Sequence, residues 1–329
     1  MIKPRHVPLD RKAKIAVLDD YMGVAHQLAD WDKLRQRAEV TFLTQPLSDP
    51  VSELAQYDAI CLLRERTAIT SELLHALPGL RAIIATGRHN RTLAYETAAE
   101  LGITVLSTTG SGNGQYATVE LAWGLIISLM RQIPEEAAAM KSGGWQTRLG
   151  NSLYGKTIGI IGLGRLGSRM AHVAKAFGMN VLAWSPNLTS ARAETAGAVL
   201  VPRNTLLSQS DVVTLQLVLG ETTRGILDAN ALEIMKPDAI LINTSRGPLI
   251  DQTALIAALK EGRLRAAGID VFDHEPLSAS HPLRELDNAL LTPHLGYSVR
   301  ETFESFYQET VKNLENWLNG KPGLSGGAT

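Results

Sequence analysis

One local feature constrains the fold of this chain more than any other. It is the run Thr157-Ile158-Gly159-Ile160-Ile161-Gly162-Leu163-Gly164-Arg165-Leu166-Gly167-Ser168-Arg169-Met170. An apolar strand enters a G-x-G-x-x-G turn, and Met170, Val173, Ala174 and Phe177 then recur at helical spacing. In such a unit the first glycine (Gly162) permits the tight turn. The second (Gly164) lets backbone approach a pyrophosphate, and the third (Gly167) lets helix pack closely on strand. The helix start presents unpaired N–H groups and the positive end of its dipole to phosphates. The glycine pattern alone is weak. In its strand-turn-helix setting it predicts a dinucleotide-binding βαβ unit.

The rest of the chain repeats this alternation. Strand candidates in the first third are Lys14–Asp20, Val40–Thr44, Ala59–Arg64, Arg81–Thr86 and Thr104–Thr108. Helical patterns lie between them at Trp31–Arg37, Ser71–Leu77 and Leu93–Leu101. A glycine-rich loop, Ser107–Gly114, leads into a helix with a wide apolar face from Tyr116 to Arg131, and then into a looser arm, Gln132–Tyr154. A second series follows, with strands expected at Thr157–Gly162, Val181–Ser185, Val212–Leu217, Ala239–Thr244, Gly268–Phe272 and Ala289–Pro293. A last helix is expected over Arg300–Leu318, followed by a disordered tail, Gly323–Thr329. Such alternation means βαβ units and parallel sheets. The fold class is therefore α/β, with two doubly wound parallel-sheet domains. If the last helix returns to the first sheet, the domains are 1–111 plus 298–329 and 112–297.

Composition fits this and narrows function. A chain of 329 residues carries about two domains. Thirty-two Lys plus Arg balance 33 Asp plus Glu, so the basic excess of a duplex-binding protein is missing and no nucleic-acid partner is expected. The longest apolar stretch, Ala117–Met130, carries Glu120 and Ser128 and has helical period, so no membrane span is expected. No apolar segment follows Met1 in the manner of a secretory signal. The single cysteine, Cys61, forms no disulfide within the chain and lies in the apolar run Ala59–Leu63, where it reads as a core side chain. A cytoplasmic protein is expected.

The ribose position is informative for what it lacks. About 20 residues beyond the glycine turn an NAD site normally carries Asp or Glu for the 2′-hydroxyl. Here Ala183-Trp184-Ser185-Pro186-Asn187 puts Ser185 there. Without a carboxylate to repel a 2′-phosphate, NAD and NADP both stay open, with a lean to NADP. The nearest arginine downstream is Arg192.

Three later segments carry reactive side chains at strand ends. Residues 235–251 hold a strand that runs to Arg246. Residues 267–276 hold a strand that ends at Asp270 and leads to Glu275. Leu291–Tyr297 puts His294 just after a third strand. In open α/β sheets the ligand crevice lies outside the carboxyl ends of the strands. Reduction of a 2-keto acid needs a hydride donor, a proton donor and an anchor for the carboxylate. Arg246 can grip carboxylate and carbonyl oxygen. His294 can give or take a proton. A Glu275–His294 hydrogen bond would orient the ring and stabilise its charged form. Plain structural readings stand beside these: Arg246 pairing a surface acid, Glu275 capping the next turn, His294 as a satisfied structural histidine. His274, Glu275, His281 and His294 match no metal-ligand spacing, and Pro276 and Pro282 break any helix between them, so no metal is expected.

On these residues the chain resembles the D-isomer-specific 2-hydroxyacid dehydrogenases, a group that includes glyoxylate/hydroxypyruvate reductases and phosphoglycerate dehydrogenases. The stretches GKTIGIIGLGRLG and MKPDAILINTSRGPLID, with Glu275-Pro276 and Pro293-His294, carry the resemblance, which runs from about residue 59 to 318. It implies a flavodoxin-like substrate domain, a Rossmann NAD(P)-binding domain and an active-site cleft between them, with the last helix returning to the first domain. It implies a catalytic set of Arg246, Glu275 and His294, with His294 as proton donor. Cofactor contacts are implied for Arg165, Leu166, Ser185, Thr244, Ser245, Arg246 and, near the nicotinamide, Asp270. The substrate is implied to meet Arg246, His294 and the backbone of the first-domain loop Thr86-Gly87-Arg88-His89-Asn90, hence Gly87 and Arg88. Dimers joined largely through the second domain and the arm at 132–154 are implied as well.

Some positions depart from the family. Arg88 and His89 intrude where Gly-Val-Gly is frequent, either shaping the pocket or pointing to solvent. Leu121 follows Glu120 where histidine is frequent, and Val218 stands where proline is frequent. Glu275 and the N-terminus argue against the formate dehydrogenase branch. The chain end is read as lacking the regulatory C-terminal domain of many phosphoglycerate dehydrogenases. The function expected is an NAD(P)-dependent D-2-hydroxyacid dehydrogenase acting mainly on a small 2-keto acid. The alternatives are a dinucleotide-sensing scaffold or corepressor without turnover, and oxidation of a substrate such as phosphite.

Overall fold

Every strand pairing among the described residues is parallel, in two separate sheets. The structure is a computed structural model and describes residues 10–110 and 113–321. The expected tail, Gly323–Thr329, lies outside the described residues, as do residues 111–112 of the glycine-rich loop.

The first sheet holds β1 (Ala13–Val17), β2 (Ala38–Phe42), β3 (Ala59–Leu62), β4 (Ala82–Ala85) and β5 (Thr104–Ser107) in the order β2-β1-β3-β4-β5. Every residue of β3 and β4 is buried, so these strands read as continuous apolar runs, as parallel strands covered on both faces do. The edge strand β2 alternates buried and open positions instead. Cys61 is buried on β3, where burial pushes its thiol up. Helix Arg300–Leu318 belongs to this unit. Its Asn313 donates to the Ser107 carbonyl at 3.1 Å, and the Tyr307 ring lies 6.1 Å from that of Trp31.

The second sheet holds β6 (Thr157–Ile161), β7 (Asn180–Trp184), β8 (Val199–Leu200), β9 (Val212–Leu215), β10 (Ile240–Asn243), β11 (Ala266–Ile269) and β12 (Ala289–Leu291), ordered β12-β11-β10-β9-β6-β7-β8. From β8 to β11 this is the six-strand order of a dinucleotide-binding fold, whose order reverses at β6 and β9. Strand period sends alternate residues to two cores. Ile240 and Ile242 pack with Leu125, Ile126 and Met170 on one face, while Leu241 packs with Leu206 and Leu255 on the other. The boundary between the two units falls between Gln115 and Tyr116 and again between Ser298 and Val299.

Three local expectations differ from the structure. Trp31–Leu34 is a short 3-10 turn, not an α-helix. Two-residue β8 was not foreseen; it is too short to show a period. The loose arm contains a helix, Ile133–Lys141, that buries none of its residues. It therefore lacks the apolar stripe by which a helix is read, and Pro134 sits in its first turn, where proline is tolerated. No helix among the described residues is long and apolar enough to cross a membrane.

Candidate active site

The chain leaves β6 at Ile161 and turns at Gly162 with φ 106°. A Cβ at Gly162 would stand 2.5 Å from the carbonyl carbon of Gln216, and one at Gly167 would stand 2.0 Å from the Gly162 carbonyl oxygen. Only glycine lets helix Arg165–Ala176 descend onto β6 in this way. Gly164 differs, because nothing lies within 4 Å of where its Cβ would be. Its missing side chain leaves open ground instead of relieving a packed contact.

The helix starts at Gly164 with no side-chain cap. By contrast Thr189, Asp228 and Asp251 cap later helices of this unit by accepting the N–H groups of Arg192, Ala231 and Ala254. First-turn N–H groups without a capping oxygen, beside an open glycine, suit a phosphate. Arg165 is exposed at the first turn and Leu166 is half-buried. Ser185, at the end of β7, accepts the Leu163 N–H at 2.9 Å, which ties the ribose position to the glycine turn and leaves its own hydroxyl proton to donate. Arg192 is exposed and reaches the Asn187 carbonyl at 3.4 Å. These residues fit a nicotinamide dinucleotide.

The reactive side chains come from the ends of three adjacent strands, β10, β11 and β12. Arg246 follows β10, where its guanidinium donates to the Ser245 carbonyl at 2.7 Å. Asn243 accepts the Ser245 N–H and donates to the Arg246 carbonyl, so the turn carrying the arginine is fixed at both ends. A Cβ at Gly247 would lie 2.2 Å from the carbonyl carbon of Phe272, so this loop touches the loop after β11 that carries Glu275. Thr244 is buried, and Ser245 donates its hydroxyl to the Leu215 carbonyl.

Glu275 and His294 form the centre. The Glu275 carboxylate lies 2.6 Å from His294 Nδ1 and accepts the Phe272 N–H at 2.8 Å. Burial alone would raise the Glu275 carboxyl. The hydrogen bond and charge of His294, the Phe272 N–H and the Arg246 charge outweigh it and hold the carboxyl below its ordinary value. An ionised Glu275 accepting from Nδ1–H leaves Nε2 as the ring nitrogen for exchange.

His294 takes a left-handed backbone, φ 54°, a conformation uncommon outside glycine. Hydrogen bonds to Asp270 hold this turn. Its carbonyl accepts the His294 N–H at 2.8 Å, and its carboxylate oxygens accept the Leu295 N–H at 2.7 Å and the Gly296 N–H at 2.9 Å. Thr292 adds a hydroxyl donor at 2.5 Å. Asp270 is 0% exposed, and burial pushes its carboxyl up against the pull of these hydrogen bonds and of His294.

Gly87 and Arg88 lie in the other unit, on the loop after β4. Gly87 is buried and donates its N–H to Thr108 at 2.8 Å. Arg88 is exposed, and the His89 ring stacks on Tyr95 with centroids 5.2 Å apart. Asn90, fully buried, ties this loop to the β3 loop by donating to the Arg64 carbonyl at 2.6 Å.

Some site residues went unnoticed in the sequence. Thr292 sits in the histidine segment, but its hydroxyl contact with Asp270 has no spacing signature. Thr118, in a helix read only for its apolar face, donates to the Gly296 carbonyl at 2.7 Å. Gln216, against the glycine turn, has a buried side-chain oxygen without a partner among the described residues. Among the described residues no group of three or more His, Cys, Asp or Glu is placed to hold a metal ion.

Comparison with known proteins agrees with this geometry. Residues 123–296 match the family model described as D-isomer specific 2-hydroxyacid dehydrogenase, NAD binding domain. A glyoxylate reductase of Aeropyrum pernix is 35% identical over 303 residues, covering 88% of this chain and 86% of that protein. A D-3-phosphoglycerate dehydrogenase of Archaeoglobus fulgidus is 35% identical over 274 residues, covering 83% of this chain and 51% of the relative. The chain thus spans about half the length of the phosphoglycerate dehydrogenases it matches. Among solved structures, a phosphoglycerate oxidoreductase of Vibrio cholerae superposes with a TM-score of 0.87 at 34% identity, covering 94% of this chain and 99% of that one.

Proposed function

The chain belongs to the D-isomer specific 2-hydroxyacid dehydrogenases, and we propose that it transfers a hydride between NAD(P) and C2 of a small 2-keto or 2-hydroxy acid, acting mainly as a reductase. The observation that carries this reading is the 2.6 Å Glu275–His294 pair, placed beside Arg246 at the strand ends of a dinucleotide-binding sheet.

When bound, the nicotinamide supplies the hydride that C2 accepts. His294 gives the proton that the C2 oxygen takes up, through Nε2, and recovers it in the reverse direction. Glu275 keeps Nδ1 protonated and offsets the positive charge the ring carries before it donates. Arg246 holds the carboxylate and polarises the carbonyl. By the family resemblance, the substrate carboxylate would also meet backbone N–H groups of the first-domain loop at Gly87 and Arg88. Gly164 and the first-turn N–H groups at Arg165 and Leu166 would seat the pyrophosphate, Gly162 and Gly167 shape the turn that presents them, and Thr244 and Ser245 line the same strand ends. Asp270 serves the cofactor side through the turn it holds.

NADP(H) is the favoured cofactor. Ser185 presents a hydroxyl where a carboxylate would repel the 2′-phosphate, and exposed Arg192, the nearest arginine downstream, reaches the Asn187 carbonyl. The protein works as a homodimer joined largely through the second domain and the arm at 132–154. The test is oxidation of NADH and NADPH, separately, against glyoxylate, hydroxypyruvate, pyruvate and a bulkier branched or aromatic 2-keto acid. Turnover with one of these, faster with NADPH, is expected. Tight cofactor binding without turnover on any of them overturns the dehydrogenase reading.

A further inference from the structure

The hydrogen bond to Glu275 restrains His294 Nδ1 at 2.6 Å from a carboxylate that can itself rotate, so the two side-chain torsions of His294 keep a range of ring tilts. The tilt decides where Nε2 points. One side chain of the same turn addresses it. The Tyr297 ring stands edge-to-face against the His294 imidazole, with centroids 5.4 Å apart and planes at 79°. We propose that Tyr297 is a positioning residue for proton transfer, its ring setting the tilt of the His294 imidazole and hence the direction of Nε2. The inference rests on the role of His294 proposed above.

The surroundings of Tyr297 make its ring a firm stop. The Gly296 N–H is held by Asp270 at 2.9 Å and the Gly296 carbonyl by Thr118 at 2.7 Å, so the peptide before Tyr297 is fixed on both sides. A Cβ at Gly296 would already meet Asp270 at 3.2 Å and Thr118 at 3.3 Å, so the backbone has little room to slide. The Ser298 N–H closes the turn onto the Leu295 carbonyl at 2.8 Å. The ring is half-buried and its hydroxyl oxygen is buried, which restrains the ring packed against His294. The imidazole thus meets three constraints: the left-handed backbone of a turn held by Asp270, the carboxylate of Glu275 and the ring of Tyr297. Charge acting on it comes from Glu275 and Asp270, and Arg246 acts on Glu275 in turn. The tyrosine contributes shape and an edge-to-face preference, which requires an aromatic ring and no hydroxyl.

The test compares Tyr297→Phe, Tyr297→Leu and His294→Asn with the wild-type enzyme, using glyoxylate and hydroxypyruvate with NADPH. The Phe variant should keep wild-type kcat. The Leu variant should lose about three- to tenfold in kcat, the range an edge-to-face pair supports. Its KM for the keto acid and its Kd for NADPH should stay unchanged. Its solvent isotope effect on kcat should rise, because a misdirected proton transfer then limits turnover. Tyr297→Met, which fills the same space with a flexible thioether, replaces the Leu variant if that one is unstable. A Leu or Met variant with wild-type kcat and isotope effect overturns the inference, as do Phe and Leu variants impaired alike. A fully active His294→Asn, or a wild-type enzyme inactive on every keto acid tried, overturns the underlying reading instead.

Discussion

At the scale of single residues, the proposed reaction depends on a proton held at one nitrogen. Replacing His294 by Asn removes the donor and leaves the turn held by Asp270 in place. We expect kcat to fall by about 10²- to 10⁴-fold, the usual worth of general acid catalysis. NADPH affinity, measured by fluorescence titration, should hardly change. Replacing Glu275 by Gln keeps an acceptor for Nδ1 but removes the charge that offsets the imidazolium, so kcat for reduction should fall while NADPH affinity holds. Glu275 also links stability to pH. Its carboxyl is held below the ordinary value, so it stabilises the fold above the ordinary carboxylate range, and that contribution is lost as pH falls through the depressed value. The wild-type advantage in Tm over Glu275→Gln should therefore shrink below about pH 4.3. Much of this was legible in the sequence, because Arg246, Glu275 and His294 each follow a recognisable strand. The support under them was not. The burial of Asp270 and its grip on the N–H groups of residues 294–296 depend on β11 and β12 lying side by side, and sequence spacing does not carry that adjacency.

At the scale of elements, the glycine turn separates two roles that look alike in a motif. Gly167 is packed against the Gly162 carbonyl, while Gly164 faces open ground. Gly167→Ala should therefore lower Tm without any ligand present, by about 1–3 kcal/mol of stability, because helix and strand must move apart. Gly164→Ala should leave the ligand-free Tm close to wild type and weaken NADPH binding at least tenfold, because the added methyl occupies the ground a pyrophosphate approaches. Differential scanning fluorimetry with and without NADPH reads both, and equal loss of ligand-free stability in the two variants would contradict the assignment. Elements with a strong period were read correctly to within a residue or two, as helix Arg300–Leu318 and β6 show. Those without one were missed. Helix Ile133–Lys141 has no buried face, and β8 has two residues.

At the scale of the whole molecule, two parallel sheets built on the same βαβ rule carry different work, and the strand order tells them apart. The order β2-β1-β3-β4-β5 is a flavodoxin-like arrangement, and the order from β8 to β11 is that of a dinucleotide fold. Alternation along the chain indicated two such sheets; the order within each depends on which crossover turns back, and that is settled by packing. One property at this scale concerns what the arm leaves open. Trp145 is 75% exposed, Leu149 92% and Tyr154 81%, all within one short segment beside a helix that buries nothing. Large apolar side chains gathered on a surface mark an interface. A second copy of the chain is the occupant proposed, and aromatic anchors are the residues that carry such contacts. Sedimentation of the wild-type protein at micromolar concentration should give twice the chain mass. The double variant Trp145→Glu with Leu149→Glu should sediment as a monomer with its Glu275–His294 site intact, and NADPH should still bind it. A wild-type protein that stays monomeric at high concentration, or a double variant that stays dimeric, would assign these side chains to another role.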